Sequence, residues 1–193
     1  MNPKVRYLLL KWRAWILLAL GRRGEAMPLF DEMLALLPND DYALASRAHL
    51  RAMSGDRELA IADYQELLRT HPQNATAWFN LGFLQEECEQ WEPAEQSFLR
   101  ATENDPSLDR AWYGLGLVRI RLRRYDDAVA ALKRNTELQP MSPYGWYQLA
   151  RVHVDRQEPD EAVKIIRHLQ GFEPKVAAQL ERETGLQVAP AGQ

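Results

Sequence analysis

The chain has 193 residues, enough for one ordinary domain or a short repeat array, and 46% of them are hydrophobic. Its formal net charge of -3 lacks the basic excess of a typical nucleic-acid-binding protein, so we expect no nucleic-acid partner. The single cysteine, Cys88, excludes an internal disulfide and suits a reducing compartment.

The first apolar stretch, residues 5–20, is predicted to be a helix of the folded protein. Lys11 and Arg13 interrupt it, and the uncharged run 14–20 is far shorter than the roughly 20 residues that a membrane-spanning helix needs. Residues 21–24 read as a turn, with no small-residue cleavage site of a signal peptide. We therefore expect a cytoplasmic protein; membrane association through this helix is the alternative.

Five segments of equal length then follow one another without an insertion: 7–40, 41–74, 75–108, 109–142 and 143–176. Each carries a small residue at its eighth and twentieth places, a bulky apolar residue at its twenty-fourth and a proline at its thirty-second. The proline series is Pro38, Pro72, Pro106, Pro140 and Pro174, and the twentieth-place series is Ala26, Ala60, Ala94, Ala128 and Ala162. Small residues let two helices approach closely, and proline stops a helix. Each of these recurring places therefore has a packing reason.

Three of the five segments also carry tryptophan at the fourth place, leucine at the seventh and a small residue at the eighth. These residues are Trp78, Leu81 and Gly82, then Trp112, Leu115 and Gly116, then Trp146, Leu149 and Ala150. The first two segments lack this signature; the second has Leu44 and Arg47 at the tryptophan and leucine places. Over residues 7–176 the chain strongly resembles the tetratricopeptide repeat (TPR) family.

The resemblance implies an all-α fold, a right-handed superhelix of five helix-turn-helix units preceded by an N-terminal extension at residues 1–6. Repeat arrays need a last element with a polar outer face, and residues 177–184 are predicted to form this capping helix. Gly185 is expected to end it. Residues 185–193 are predicted to be a disordered tail.

The resemblance also implies that the first helix of each repeat lines an inner groove, where a protein or peptide partner binds to a non-catalytic scaffold or adaptor. Aromatic rings are common at binding hot spots, and many groove places here hold one. The alternative for any single ring is that it only covers the contact between repeats. The candidate partner-binding residues are Trp12, Trp15, Tyr42, His49, Phe79, Asn80, Phe83, Arg110, Tyr113, Arg121, Tyr144, Tyr147 and Arg151.

Three of these candidates, Arg110, Arg121 and Arg151, are expected to converge in the C-terminal half of the groove. Arginine binds carboxylates through two parallel hydrogen bonds, so an acidic partner residue would suit them. A different interpretation is a ladder of ion pairs between repeats, because Glu87, Arg121 and Asp155 share one place in successive repeats.

The first helix is apolar nearly all round, which predicts that part of it is covered by another surface. Leu9, Trp12 and Ile16 are the candidate residues for self-association into a homo-oligomer. The alternative is that the tryptophan side chains fold over the second repeat.

Other functions have little support in the sequence. The Lys, Asn, Asn, Lys, Arg set that holds a chaperone's terminal carboxylate in related co-chaperones is matched only at Asn80 and Arg110. The four histidines show no metal-ligand spacing, and no phosphate-binding glycine loop or nucleophile elbow is present. We therefore expect no enzyme, cofactor or metal. The alternatives to an adaptor are a self-associating structural module and a membrane-tethered assembly factor.

Overall fold

The structure, a computed structural model, describes residues 2–188, and these form eleven α-helices with no strand. The helices are α1 Pro3–Ala19, α2 Arg23–Leu36, α3 Asp41–Ser54, α4 Arg57–Thr70, α5 Ala75–Glu87, α6 Trp91–Asn104, α7 Asp109–Arg121, α8 Tyr125–Leu138, α9 Pro143–Asp155, α10 Pro159–Gln170 and α11 Pro174–Thr184. The helices α3, α5, α7 and α9 begin at the first residue of the second to fifth segments. None of the described helices combines the length and the apolar composition that crossing a membrane requires.

The chain forms two compact halves, one ending at Gln90 and the other starting at Trp91. In the N-terminal half each helix from α1 to α5 packs on the next, around fully buried side chains such as Phe30, Met33 and Leu67. In the C-terminal half α6 to α11 also pack in sequence, and α11 contacts α9 as well.

The small residues at the eighth and twentieth places lie where helices touch. Ala14, Ala48 and Ala94 have no exposed surface. At Gly116 an added Cβ would lie 2.7 Å from the Leu132 side chain, closer than packed atoms come. The small residues of the sequence pattern are therefore needed where the helices pack closely together.

The tryptophan and proline of the repeat pattern are linked by a hydrogen bond. The Trp78 indole Nε1 donates to the Pro72 carbonyl at 2.8 Å. Trp112 bonds Pro106 at 3.0 Å and Trp146 bonds Pro140 at 2.9 Å in the same way. The fourth-place tryptophan thus fixes the start of its hairpin to the end of the preceding one, in addition to filling space.

The fifteenth place of every repeat adopts a left-handed backbone. Gly21 and Gly55 have φ angles of 72° and 89° there. Glu89, Arg123 and Gln157 occupy the same place with φ between 56° and 62°, although they have a Cβ. The turn between the two helices of each hairpin therefore has one geometry, whether or not its residue is glycine.

The second repeat replaces its seventh-place leucine with an ion-pair network. The Arg47 guanidinium donates to both carboxylate oxygens of Asp63, at 3.0 and 2.6 Å, and Arg51 donates to Asp63 at 2.7 Å. Asp63 is buried. Burial of this carboxylate is compatible with folding because two guanidinium groups satisfy it.

The ends of the array differ from the predicted boundaries. The helix α1 starts at Pro3, inside the predicted extension 1–6, and α11 starts at Pro174, before the predicted cap 177–184. Within the predicted disordered tail, Val188 is instead buried and its carbonyl accepts a hydrogen bond from Gln170. The rest of that prediction, residues 189–193, lies outside the described residues.

Candidate partner-binding surfaces

In the N-terminal half, five side chains line a pocket of about 420 Å³ between α1 and α3. They are Leu8, Lys11, Trp12, Trp15 and Tyr42. The first four stand at the second, fifth, sixth and ninth places of the first repeat, and Tyr42 stands at the second place of the next. The structure therefore brings together three of the predicted aromatic binding residues.

Leu8, Trp12 and Trp15 of the pocket are exposed to solvent, whereas Lys11 and Tyr42 are partly buried. Trp12 is 62% exposed and Trp15 is 58% exposed, so more than half of each side chain remains accessible beside the second repeat. The two rings meet edge to face, with centroids 5.9 Å apart. The Lys11 ammonium lies 4.3 Å from the Tyr42 ring centroid, a cation–π distance. Lys11 forms no ion pair within residues 2–188.

The other predicted residues of this half lie on α3 and α5. His49 is exposed on α3. On α5, Phe83 is 47% exposed, Phe79 is half-buried, and Asn80 donates to the Tyr64 hydroxyl at 3.1 Å. Asn80 is therefore held by its own half of the chain, whereas Phe83 presents its ring to solvent.

The residues predicted for self-association form an exposed row along α1. Leu9 and Ile16 are about half exposed, and Trp12 lies between them on the same helix face. Val5 and Leu20 extend the row at either end and are also exposed. We call Val5, Leu9, Trp12, Ile16 and Leu20 the outer row; it shares only Trp12 with the pocket.

In the C-terminal half, three predicted residues lie on α9. Tyr144 is exposed, and Tyr147 and Arg151 form a cluster with Glu183 of α11. The Tyr147 hydroxyl donates to Glu183 at 2.5 Å, and Arg151 pairs with Glu183 at 2.9 Å. The hydrogen bond from Tyr147 is the main cause that lowers the pKa of Glu183 below its ordinary value.

The three predicted arginines have different surroundings. Arg151 is paired with Glu183, and the Arg121 guanidinium lies 5.7 Å from the centroid of the Trp91 ring. Arg110 is exposed on α7, where Tyr113 is half-buried. Glu87, the first member of the predicted ladder, pairs with Arg57 of its own half at 3.0 Å.

Cys88 and the metal-ligating side chains are the remaining reactive groups of the described residues. Cys88 stands at the C-terminal end of α5, partly buried, and burial raises the pKa of its thiol. A raised pKa leaves less of the nucleophilic thiolate. Within residues 2–188 no group of three or more His, Cys, Asp or Glu side chains is placed to hold a metal ion.

Sequence reasoning missed one member of the C-terminal cluster, Glu183. The apolar positions of the cap predicted its helix, but they carry no information about which polar residue meets Arg151. Gln179 and Glu183 are four residues apart on one helix face and are joined by a hydrogen bond of 2.7 Å. Their spacing shows that this face is polar, but the position of α11 against α9 is needed to show which residue it meets.

Comparison with solved structures gives consistent matches. MamA matches with a TM-score of 0.82 at 19% identity, over 96% of this chain and 98% of that chain. MamA 41-end from Desulfovibrio magneticus RS-1 gives 0.78 at 20% identity, over 92% and 96%. YrrB, a TPR protein with an unusual peptide-binding site, gives 0.79 at 18% identity, over 88% of each. These likenesses confirm the predicted all-α TPR solenoid fold.

The sequence itself matches two family profiles, both described as tetratricopeptide repeat. One covers residues 51–118 and the other residues 113–174, so together they span more than half of the chain. No curated protein matches the sequence significantly. With its repeat pattern, its helix hairpins and these profile matches, the chain belongs to the tetratricopeptide repeat family, whose members are generally non-catalytic scaffolds for protein interactions.

Proposed function

We propose that this chain is a non-catalytic adaptor that binds a segment of a partner protein on the first-helix faces of its N-terminal half. The observation that carries the proposal is the pocket of about 420 Å³ lined by Trp12, Trp15 and Tyr42 with Leu8 and Lys11. Its volume falls within the range of protein ligand pockets. Trp and Tyr are the residues most often found at binding hot spots.

Phe83 supports the same interpretation. It stands at the ninth place of the third repeat, the place that Trp15 occupies in the pocket of the first. A phenylalanine side chain that is 47% exposed loses little conformational freedom on binding and gains a large contact area. A partner segment that fills the pocket and continues along these faces would cover both rings.

The chemistry of the pocket favours a particular kind of segment. Its rings suit an aliphatic or aromatic anchor side chain. Lys11, with no acidic partner of its own in residues 2–188, suits a carboxylate next to that anchor. The solved neighbour YrrB is a TPR protein with an unusual peptide-binding site, which makes a peptide ligand a reasonable first test.

The test begins with selection of peptides from a random displayed library on the full chain. The affinity of a selected peptide is then measured by fluorescence anisotropy for the unaltered chain, Tyr42→Ala and Phe83→Ala. We expect each substitution to weaken binding by about tenfold or more, as removal of a hot-spot ring does. Lys11→Glu is expected to weaken peptides with an acidic residue beside the anchor more than peptides without one.

The matched control is Leu59→Ala. Leu59 is exposed to a similar degree (52%) but lies on α4, the second helix of its repeat, outside the proposed binding face. It should leave the affinity within about twofold, the usual effect of a surface change outside an interface. Circular dichroism of every variant checks that helix content is retained. Equal affinity of all variants, or selection of no peptide by the unaltered chain, would refute the groove assignment.

A further inference from the structure

The outer row of α1 is the main concentration of exposed apolar surface. Among the described residues, thirteen large apolar side chains are exposed, and seven of them belong to α1 or its C-cap, Leu20. An aromatic side chain alone carries roughly 150–250 Å², so the row and its neighbours present an apolar patch of a few hundred Å². The largest apolar patch on a soluble monomer is typically about 300–600 Å² and is often functional.

The row has the geometry of one continuous helix face. Residues three or four apart on a helix are neighbours, and Val5, Leu9, Trp12, Ile16 and Leu20 follow this spacing along the whole length of α1. Arg13 is four residues after Leu9 and three before Ile16, so it borders the row directly. The side chains that pack on the core, Leu10 and Ala14, point to the opposite side.

The charged residues of α1 and of the turn after it are all basic. Residues 1–24 contain six basic side chains, Lys4, Arg6, Lys11, Arg13, Arg22 and Arg23, and no acidic one. The whole chain has a net charge of -3, so the remaining residues carry -9. Arg6 pairs with Glu32 and Arg22 pairs with Glu25. Lys4, Arg13 and Arg23 are exposed and form no ion pair with any described residue.

We propose that α1 is a membrane-surface helix: it lies in the plane of an anionic lipid bilayer, with the outer row in the interface and its basic residues at the headgroups. An apolar helix face with tryptophan, bordered by lysine and arginine, is the pattern of helices that bind membrane surfaces. Anionic lipids attract such basic side chains. The amphipathic indole of Trp12 suits the boundary between headgroups and acyl chains.

Two other uses of this face fit the structure less well. A helix that crosses the bilayer needs about 20 apolar residues, and α1 has 17 residues that include Lys4, Arg6, Lys11 and Arg13. Pairing with a second copy would bring two outer rows together with their basic borders. Like charges placed opposite each other oppose association. An anionic lipid surface supplies the charge that complements Arg13 and the other basic side chains of α1.

The proposal is tested by cosedimentation of the full chain with vesicles. We expect binding to vesicles of phosphatidylcholine and phosphatidylglycerol in equal parts, and much weaker binding to phosphatidylcholine alone. Raising the salt concentration should weaken binding, because ions screen the attraction between the helix and the headgroups. Leu9→Glu and Ile16→Glu should each lower the partition coefficient by about tenfold or more, since a charge then enters the apolar face.

The matched control is Leu59→Glu, the same substitution at a similarly exposed leucine, 52% against 50% for Leu9. It should bind anionic vesicles within about twofold of the unaltered chain. Circular dichroism without vesicles should show equal helix content in all variants, because the replaced side chains are exposed. Equal loss of binding in Leu59→Glu and Leu9→Glu would overturn the assignment to α1.

Failure of the unaltered chain to bind anionic vesicles would overturn the proposal outright. If light scattering then showed a dimer that Leu9→Glu dissociates, the outer row would be a contact with a second copy. If it showed a monomer, the row would belong to a protein partner. Neither result bears on the pocket, whose test uses Tyr42 and Phe83 instead.

Discussion

At the scale of single residues, the left-handed position in each hairpin turn has a cost that differs between repeats. Gly21 and Gly55 adopt this backbone without strain, whereas a residue with a Cβ gives up roughly 1–2 kcal/mol there. Arg123→Gly should therefore raise the free energy of unfolding by about 0.5–1 kcal/mol, after the greater freedom of glycine in the unfolded chain is subtracted. Urea denaturation measures the change.

The control for this prediction is Arg123→Ala, which keeps the Cβ and should give no gain. In the opposite direction, Gly55→Ala should lower the free energy of unfolding by about 1 kcal/mol. An added Cβ at Gly55 meets no atom within 4 Å, so backbone strain is the only steric cause. A similar gain from glycine and alanine at position 123 would contradict the strain argument.

The buried carboxylate of Asp63 gives a second prediction at this scale. Asp63→Ala leaves the guanidinium groups of Arg47 and Arg51 without their main acceptor, and their side chains are only 18% and 20% exposed. Loss of one partner of a buried pair is strongly destabilising, so we expect a decrease of about 3 kcal/mol in the free energy of unfolding. Thermal and urea unfolding both report it.

Asp31 offers the comparison, because it pairs with the same Arg47 at 2.7 Å but its side chain is 54% exposed. Asp31→Ala should cost less than about 1 kcal/mol. Equal losses at the two positions would show that burial does not decide the energy. Arg47 also shows how a repeat without the seventh-place leucine keeps its fold. The sequence shows only that Arg47 departs from the repeat pattern, whereas the structure shows that it pairs with Asp63.

At the scale of helices, Gly114 tests how closely hairpins must approach. An added Cβ there would lie 2.6 Å from the ring of Phe98, which is buried and cannot easily move. Overpacking costs about 1–3 kcal/mol, against a gain of up to about 1 kcal/mol in helix propensity. Gly114→Ala should therefore lower the free energy of unfolding by about 1–2 kcal/mol in urea denaturation.

Gly24 supplies the matched case, a helical glycine whose added Cβ would meet nothing within 4 Å. Gly24→Ala should leave stability unchanged or raise it by up to about 1 kcal/mol. If both alanine substitutions stabilise the protein, the contact between Gly114 and Phe98 relaxes without cost.

The docking of α11 is expected to depend on pH through Glu183. This carboxylate accepts hydrogen bonds from Tyr147 and Arg151 of α9, and the first of these is the main cause of its lowered pKa. Because the pKa of Glu183 is lowered in the folded state, the ionised carboxylate stabilises the folded protein fully above the ordinary glutamate pKa. This stabilisation is lost as the pH falls through the lowered value.

NMR titration of the Glu183 carboxyl group checks this prediction. Tyr147→Phe removes the leading hydrogen bond, so the pKa of Glu183 should move back toward its ordinary value. As the pH is lowered, the opening of α11 that amide hydrogen exchange reports should then begin at a higher pH than in the unaltered chain. An unchanged titration curve in Tyr147→Phe would show that Arg151 and Gln179 alone set the pKa.

The helices and the surfaces differ in how far the sequence predicts them. The helix positions follow from residues that recur at fixed spacing, such as Ala94 where two helices touch and Pro106 after a helix ends. These residues recur because the helices of every repeat pack in the same way. Trp12, Trp15 and Tyr42 of the pocket stand at places that the repeat pattern assigns to the groove, but the pattern does not give the volume that they enclose. The ion pair of Arg151 with Glu183 was not predicted for the same reason, since Glu183 lies on a helix that has no counterpart in the repeat.

At the scale of the whole molecule, the two proposed surfaces lie on the same helix and meet at Trp12. The pocket faces α3 through Tyr42, and the outer row runs along α1 through Leu9 and Ile16. Substitutions at separate sites without shared partners have nearly independent effects. A protein of this design would hold a partner segment while α1 rests on a membrane.

This arrangement predicts a double dissociation between the two binding assays. Leu9→Glu should lose vesicle binding by about tenfold and keep peptide affinity within about twofold, and Phe83→Ala should do the reverse. Trp12→Ala should weaken both, because its ring belongs to the pocket and to the outer row. If Leu9→Glu weakened both activities and Trp12→Ala only one, the two surfaces would not be separate sites joined at Trp12. Measuring both activities on the same preparations of full chain distinguishes these results from a general loss of folded protein.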